Sequence, residues 1–342
     1  MKTLSSVEKL DVANIGLMLI SCLLAFILPF ELFLFSYAVL GPLHYLTEIG
    51  WLHKKGYYTT GKYDFVFLGI LSIFITIGFI GLNDSLKDLA TGLVYFGFLS
   101  ALMMVLIKDN TLKIISIILI LFSSILINKY TFFETFFAIY LPTIIHVFFF
   151  TGLFILYGAL KNKSWLGILS IFVFVGCALS FFFVPIGYTS LIPINKIQSS
   201  IVGFIELNRQ LINFFGLEQL KEFNAQTLGE NSHVIFFTNS GFMVMRFIAF
   251  AYTYHYLNWF SKTSVIQWHK VPRKTLAIVI TIWVVSVSLY SYDYMVGLKW
   301  LFLISLLHVL LEFPLNFRSI IGIGQEIKGL FSGKQLTKVQ SK

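Results

Sequence analysis

Ten runs of mostly apolar residues follow one another along the chain, and they leave few environments in which it can fold. They cover residues 13–30, 32–52, 65–82, 90–107, 114–127, 132–160, 167–185, 234–260, 275–290 and 298–316. A bilayer core about 30 Å thick is crossed by roughly 20 such residues in a helix. Backbone groups inside lipid must be hydrogen-bonded within the segment, which favours helices. The composition agrees, with 57% hydrophobic and 12% charged residues against about 25% charged in soluble domains. A soluble globule of 342 residues has too little interior to hide this much apolar surface. A nucleic-acid-binding module, a disordered chain and a secreted disulfide scaffold are excluded on the same ground. Cys22 and Cys177 both lie in apolar runs and form no disulfide framework pattern. The first run has no small-residue cleavage site, and Pro29-Phe30-Glu31 leads straight into the next, so it is a span and not a signal peptide. The expectation is an all-α, polytopic membrane bundle of about ten spans, one transmembrane domain over 1–342.

Charge gives this bundle a direction. With the N-terminus in the cytoplasm, that side holds Lys2, Lys9, Lys54, Lys55, Lys62, Lys108, Lys113, Lys161, Lys163, Lys262, Lys270, Arg273, Lys274, Arg318, Lys328, Lys334, Lys338 and Lys342, or 18 of the 25 basic residues. The other side holds Lys87, Lys129, Lys196, Arg209, Lys221 and Lys299, or 6, and Arg246 falls inside a span. Loops rich in Lys and Arg stay in the cytoplasm, so both termini are expected there. A bacterial inner membrane is the expected location. The net charge of +9 thus reports topology and implies no nucleic-acid partner.

The longest loop, 186–233, is expected outside. Within it Ile197, Ile201, Phe204, Ile205, Leu211, Ile212 and Phe215 recur at helical spacing, opposite Gln198, Glu206, Arg209 and Asn213. This is the pattern of an amphipathic helix lying in the membrane interface, and equally of a helix packed on the outside of the protein.

The residues that carry chemistry are the ionisable ones within the spans, where polar groups are costly. His53, His233 and His269 lie at span ends, and His44, His146, His255 and His308 lie inside, one each on spans two, six, eight and ten. These four spans run in the same direction. The histidines precede Lys54, Lys161, Lys262 and Arg318 by ten, fifteen, seven and ten residues. At about 1.5 Å per residue they sit roughly 10–22 Å from the cytoplasmic helix ends, in one band. Glu48 follows His44 by four residues and Glu312 follows His308 by four, a spacing that shares one helix face. Each acid is a ligand, a group that orients its histidine, or a proton carrier; simple pairing with its own histidine is equally open. Imidazoles with carboxylates suit iron, zinc or copper, so a metal site of His44, His146, His255 and His308 is expected. Iron(II) is the favoured metal, with Glu48 and Glu312 as the catalytic acids. Such a site binds dioxygen at an open position while an apolar substrate enters from the lipid bilayer.

Other readings remain at this point. The histidines form two axial pairs for haem b, or His/Glu pairs relay protons or brace helices in a transporter or scaffold. Pro42 and Pro142 precede His44 and His146 closely, where a kink frees carbonyl groups. Arg246 is expected to pair with a loop acid or to snorkel outward. Tyr254, Asn258 and Trp259 flank His255 and are candidate pocket residues. No His-His or His-x-x-His pair, Cys-x-x-Cys, phosphate loop or nucleophile elbow occurs.

Three stretches resemble the Brp/Blh-like membrane β-carotene 15,15′-dioxygenases. Gly41-Pro42-Leu43-His44-Tyr45-Leu46-Thr47-Glu48 is similar to that family's early Pro-His-Gly-x-x-Asp motif, with the acid again four after the histidine. His146-Val147-Phe148 lies where a mid-chain histidine motif is expected, and Tyr254-His255 resembles the start of a third. Tyr45 stands where the family has glycine and Trp259 where it has a second histidine, a gap that His308 fills from another helix. The resemblance implies an all-helical membrane enzyme with histidine-bound Fe(II). Such an enzyme cleaves the central double bond of a carotenoid with dioxygen to give retinal.

Overall fold

A computed structural model describes residues 4–80, 84–127, 131–191, 202–222, 224–262, 267 and 270–332. Its regular elements are all helical, with no strand among the described residues. The helices are α1 (Ser6–Ile27), α2 (Pro29–Lys54), α3 (Asp64–Ile80), α4 (Asp84–Leu106), α5 (Asn110–Ile127), α6 (131–162), α7 (Trp165–Phe183), α8 (Val202–Phe214), α9 (Leu228–Phe237), α10 (Asn239–Ser261), α11 (Arg273–Tyr292) and α12 (Tyr294–Ser332). Seven of them are long and apolar enough to cross a membrane, and α9 and α10 together make a bent eighth. The apolar helices α3 and α5 are shorter. Each of the ten apolar runs thus corresponds to a helix or to this bent pair.

Local chemistry sets where these helices start and stop. Ser5 and Glu8 form a reciprocal capping box at the start of α1, satisfying amides that the first turn cannot. Pro29 opens α2, where its missing N–H costs nothing. Thr238 caps α10 at a 76° corner with α9. Gly241 is required at that corner, because a Cβ there would lie on the Ile235 carbonyl.

Two apolar cores fill the bundle. One gathers α1, α2, α7, α8, α9 and α10 around Phe30, Phe181 and Phe250. The other gathers α3, α4 and α12 around Leu68, Ile75 and Leu310. Helices α2 and α6 contribute to both. Helix α10 is central, with 17 of its 23 residues buried, whereas α11 buries only Ser286 and Tyr290. Outward faces carry bare Leu, Ile and Phe, as in Leu119, Phe122 and Phe172, which fits contact with lipid.

Residues of the basic loops meet at one end of the bundle. There Lys113 pairs with Asp64 at 2.9 Å, Ser164 donates to Asp11 at 2.5 Å, and Ser261 donates to Asn14 at 2.7 Å. Lys262 lies just past α10 at the same end. Burial pulls its ammonium down to about 8, while Asp11 and Glu48 act to raise it. At the opposite end Glu31 accepts from Tyr188, Ser190 and the Leu191 amide.

The amphipathic stretch of the 186–233 loop is helix α8. Its Phe204, Ile205, Leu211 and Ile212 are buried, with Phe204 against Phe30, Phe33 and Phe236. Its apolar face therefore packs on protein. Ile197, Gln198 and Ile201 lie outside the described residues. The span that includes Arg246 also differs from expectation. Arg246 is buried, donates to the Ile186 carbonyl and lies between the Phe26 and Phe242 rings. A backbone carbonyl and two π faces take the place of the expected acid.

Candidate metal centre

The seam between the two cores holds the four intramembrane histidines. Helix α2 supplies His44, α6 His146, α10 His255 and α12 His308, each at most 5% exposed. Their rings follow one another in a closed circuit. Centroids are 4.8 Å apart for His44 and His255, 5.0 Å for His255 and His146, 5.1 Å for His146 and His308, and 5.4 Å for His308 and His44. The inward atoms are the Nε2 nitrogens. His44 and His255 bring theirs to 3.1 Å, and His146 and His308 to 3.2 Å.

The backbone before two of these histidines departs from the α-helix. Ser36–Leu40 in α2 and Phe136–Phe150 in α6 are π-helical. Pro42 follows the first of these, and Pro142 lies inside the second. Proline cannot donate an amide hydrogen bond, and π segments recur at functional sites. His146 itself lies within the π segment, so its angular position is not that of an α-helical residue.

Both carboxylates reach this same inner side. Glu48 Oε2 lies 3.0 Å from His44 Nε2, the nitrogen that also faces His255. Glu312 Oε2 lies 3.6 Å from His146 Nε2, across to another helix. Neither oxygen has a hydrogen-bond partner, and both acids are almost fully buried. Neither acid forms an ion pair with a lysine or arginine among the described residues. An acid that merely orients a metal-bound imidazole takes its hydrogen bond from the far ring nitrogen. Here the far nitrogens of His44 and His146 have no hydrogen-bond partner, and Thr151 fills that role for His255, with its Oγ1 2.8 Å from Nδ1. The pairing of each acid with its own histidine holds for Glu48; for Glu312 the nearer partner is His146.

The donor set fits a divalent metal ion. Two nitrogens bound to one ion at about 2.0–2.1 Å lie roughly 2.8–3.4 Å apart for right-angle to tetrahedral geometry. The two Nε2 pairs, at 3.1 and 3.2 Å, fall in that interval, which is also the distance of a hydrogen bond between two imidazoles. Nitrogen and oxygen donors of His44, His255 and His308, and of His146, His308 and Glu312, form two groups, each within 4.8 Å of one another and sharing His308. Two buried carboxylates with neutral imidazoles match the charge of one divalent ion, which offsets the high cost of burying unpaired charge. A bis-histidine haem needs its two nitrogens about 4 Å apart with the porphyrin between them. The His44/His255 and His146/His308 pairs, at 3.1 and 3.2 Å, are closer than this.

A cavity of about 190 Å³ adjoins the ring, with His146, His255 and His308 in its wall. Neither Glu48 nor Glu312 lines it; both follow their histidines by one turn toward the basic end of the bundle. Helix α10 contributes Tyr252 and Tyr256 to the wall, and not the Tyr254, Asn258 and Trp259 expected from sequence. Trp259 instead donates to Thr47 at 3.0 Å. Two tyrosines brace the ring directly. Tyr45 stacks on His308 at 4.2 Å, and its hydroxyl lies 2.8 Å from that of Tyr256, whose ring is 5.1 Å from His44. The sequence held a signal for this pair, because His44-Tyr45 and His255-Tyr256 are both His-Tyr dipeptides. His53 is exposed in the last turn of α2, as expected, His233 is exposed in the middle of the short helix α9, and His269 lies outside the described residues.

Searches against protein-family models, curated proteins and solved structures return no match for this chain.

Proposed function

We propose that this chain is a membrane-embedded, metal-dependent oxygenase of a long apolar, carotenoid-like substrate, with iron(II) as its metal. The observation that carries the reading is two overlapping groups of buried donors that share His308, His44/His255/His308 and His146/His308/Glu312, with Glu48 3.0 Å from His44. His44, His146, His255 and His308 hold the ion, and Glu48 and Glu312 neutralise it and adjust its coordination. When bound, the ion supplies the electrons and the Lewis acidity that let dioxygen react. Cleavage of a carbon–carbon double bond by dioxygen gives two carbonyl groups, and it balances without an external reductant. The chain's own share is geometric. Thr151 fixes the His255 ring, Tyr45 fixes the His308 ring, and the apolar cores exclude water. Neither carboxylate lines the cavity, whereas His146, His255 and His308 do, so substrate and dioxygen approach through the cavity.

In the membrane we infer ten crossings with both termini in the cytoplasm, in a bacterial inner membrane. The basic loops at a single end of the bundle support this orientation. The resemblance to the Brp/Blh-like dioxygenases is consistent with the order of the histidines.

The test is metal analysis of detergent-purified protein with an absorption spectrum, next to a His44→Ala/His308→Ala double variant. The reading expects close to one iron per chain, no Soret band and loss of the iron in the variant. Well-folded protein from iron-replete cells that carries no metal overturns it.

A further inference from the structure

The cavity beside the histidine ring is too small for a whole carotenoid-like molecule and unexpectedly rich in hydroxyl groups. Its volume is about 190 Å³. Sites that enclose a whole drug-sized ligand occupy roughly 300–1,000 Å³. A long substrate therefore inserts one end. Of the 16 residues in the wall, six carry hydroxyls: Tyr37, Tyr45, Thr143, Tyr252, Tyr256 and Ser305. Hydroxyls at membrane depth are costly unless they are hydrogen-bonded. Tyr45 and Tyr256 satisfy each other, and Thr143 donates to the Ile139 carbonyl.

Tyr37 and Tyr252 are different. No hydrogen bond joins either hydroxyl to another described residue, and neither is among the hydroxyls sealed away from open space. Their rings are nevertheless firmly placed, 5.8 Å apart edge to face, with Phe33 at 5.6 Å from Tyr37 and 5.4 Å from Tyr252. Packing thus fixes two donors at the cavity and leaves their hydrogen bonds unmade. Apart from the three histidines the remaining wall is apolar, including Phe79, Phe302, Val94 and Val309, so the space suits an oxygen atom on a hydrocarbon chain.

We propose that Tyr37 and Tyr252 bind the oxygen of a terminal hydroxyl or carbonyl group on a long apolar substrate. The proposal rests on reading the histidine ring as the oxygenase centre. It narrows the substrate class from hydrocarbons to oxygen-terminated isoprenoids. It also places the reacting bond near that end, since only the end fits beside His146, His255 and His308.

The test compares farnesol with its deoxy analogue, 2,6,10-trimethyl-2,6,10-dodecatriene, which keeps the carbon skeleton and the three double bonds and lacks only the terminal hydroxyl. Binding to the purified protein, as isolated from iron-replete cells, is measured by calorimetric titration, and metal content is measured on the same samples. The wild type is expected to prefer farnesol by about tenfold, the size of one or two well-made hydrogen bonds. Tyr37→Phe/Tyr252→Phe is expected to abolish the preference with its metal content unchanged. Because the variant sits in the same detergent, partitioning of the alcohol cancels. Equal binding of the two probes by the wild type, or a preference that survives in the double variant, overturns the proposal. Metal content distinguishes the two failures. Metal present with no preference defeats the substrate class alone, and metal absent with the preference intact defeats the oxygenase reading alone.

Discussion

Helices α2 and α12 carry the same turn, a histidine followed four residues later by a glutamate, and the two turns are used differently. On α2, Glu48 closes on its own His44 at 3.0 Å. On α12, Glu312 reaches across to His146 on α6, at 3.6 Å. The spacing guarantees a shared helix face, but the partner is chosen by whichever helix packs on that face. Helix α10 brings His255 against His44, while the π-helical part of α6 brings His146 against both His308 and Glu312. One turn is therefore a local pair, and the other is a strut between helices.

The largest expected effect treats the two turns alike. Replacing any of the four histidines by alanine removes one inward nitrogen, and metal content should fall to a small fraction of wild type by elemental analysis. Retention of metal in both His44→Ala and His146→Ala would break the comparison, since neither turn would then face an ion.

The acids should separate the turns. Glu48→Gln is expected to weaken metal affinity at least tenfold, the scale typical of disturbed metal-site hydrogen bonds and ligands, and Glu312→Gln by less, in line with its longer distance. A double-mutant cycle measured through metal affinity sharpens this. Glu312→Gln should couple more strongly to His146→Ala than to His308→Ala, because coupling follows contact. The reverse ranking would return Glu312 to its own turn.

Much of this site could be read along the chain. Counting residues from the basic positions Lys54, Lys161, Lys262 and Arg318 put the four histidines at similar distances from one end of their helices, and the structure brings them together. The choice of His146 by Glu312 could not be read in this way. It depends on the crossing of α6 with α12 and on a π-helical register that residue spacing at 3.6 per turn does not describe. Thr151 was equally hidden, because threonine in an apolar helix ordinarily bonds its own backbone. The docking of α8 on Phe30 and Phe236 was undecidable from its amphipathic pattern, which is the same whether lipid or protein covers the face.

Two smaller effects probe what supports each half of the ring. Gly41 lies beside the tyrosine pair, where an added Cβ would be 3.0 Å from the Tyr45 hydroxyl and 3.2 Å from that of Tyr256. Gly41→Ala should cost about 1–3 kcal/mol of stability, the range for overpacking, read as a lowered thermal midpoint. Thr151→Val removes the hydroxyl at His255 Nδ1 and should cost about 0.5–1.5 kcal/mol, with a measurable loss of metal affinity. Because Thr151 belongs to α6 and His255 to the α10 side, this loss should add to that of Glu48→Gln only incompletely.

X-ray absorption at the metal edge of the purified protein tests the central claim most directly, because it reports the atoms around the ion. One ion per chain with a shell of nitrogen and oxygen at about 2.0–2.2 Å, and outer scattering from three to four imidazoles, is the predicted result. A shell without imidazole scattering, or one that is unchanged in His44→Ala/His308→Ala, would contradict it.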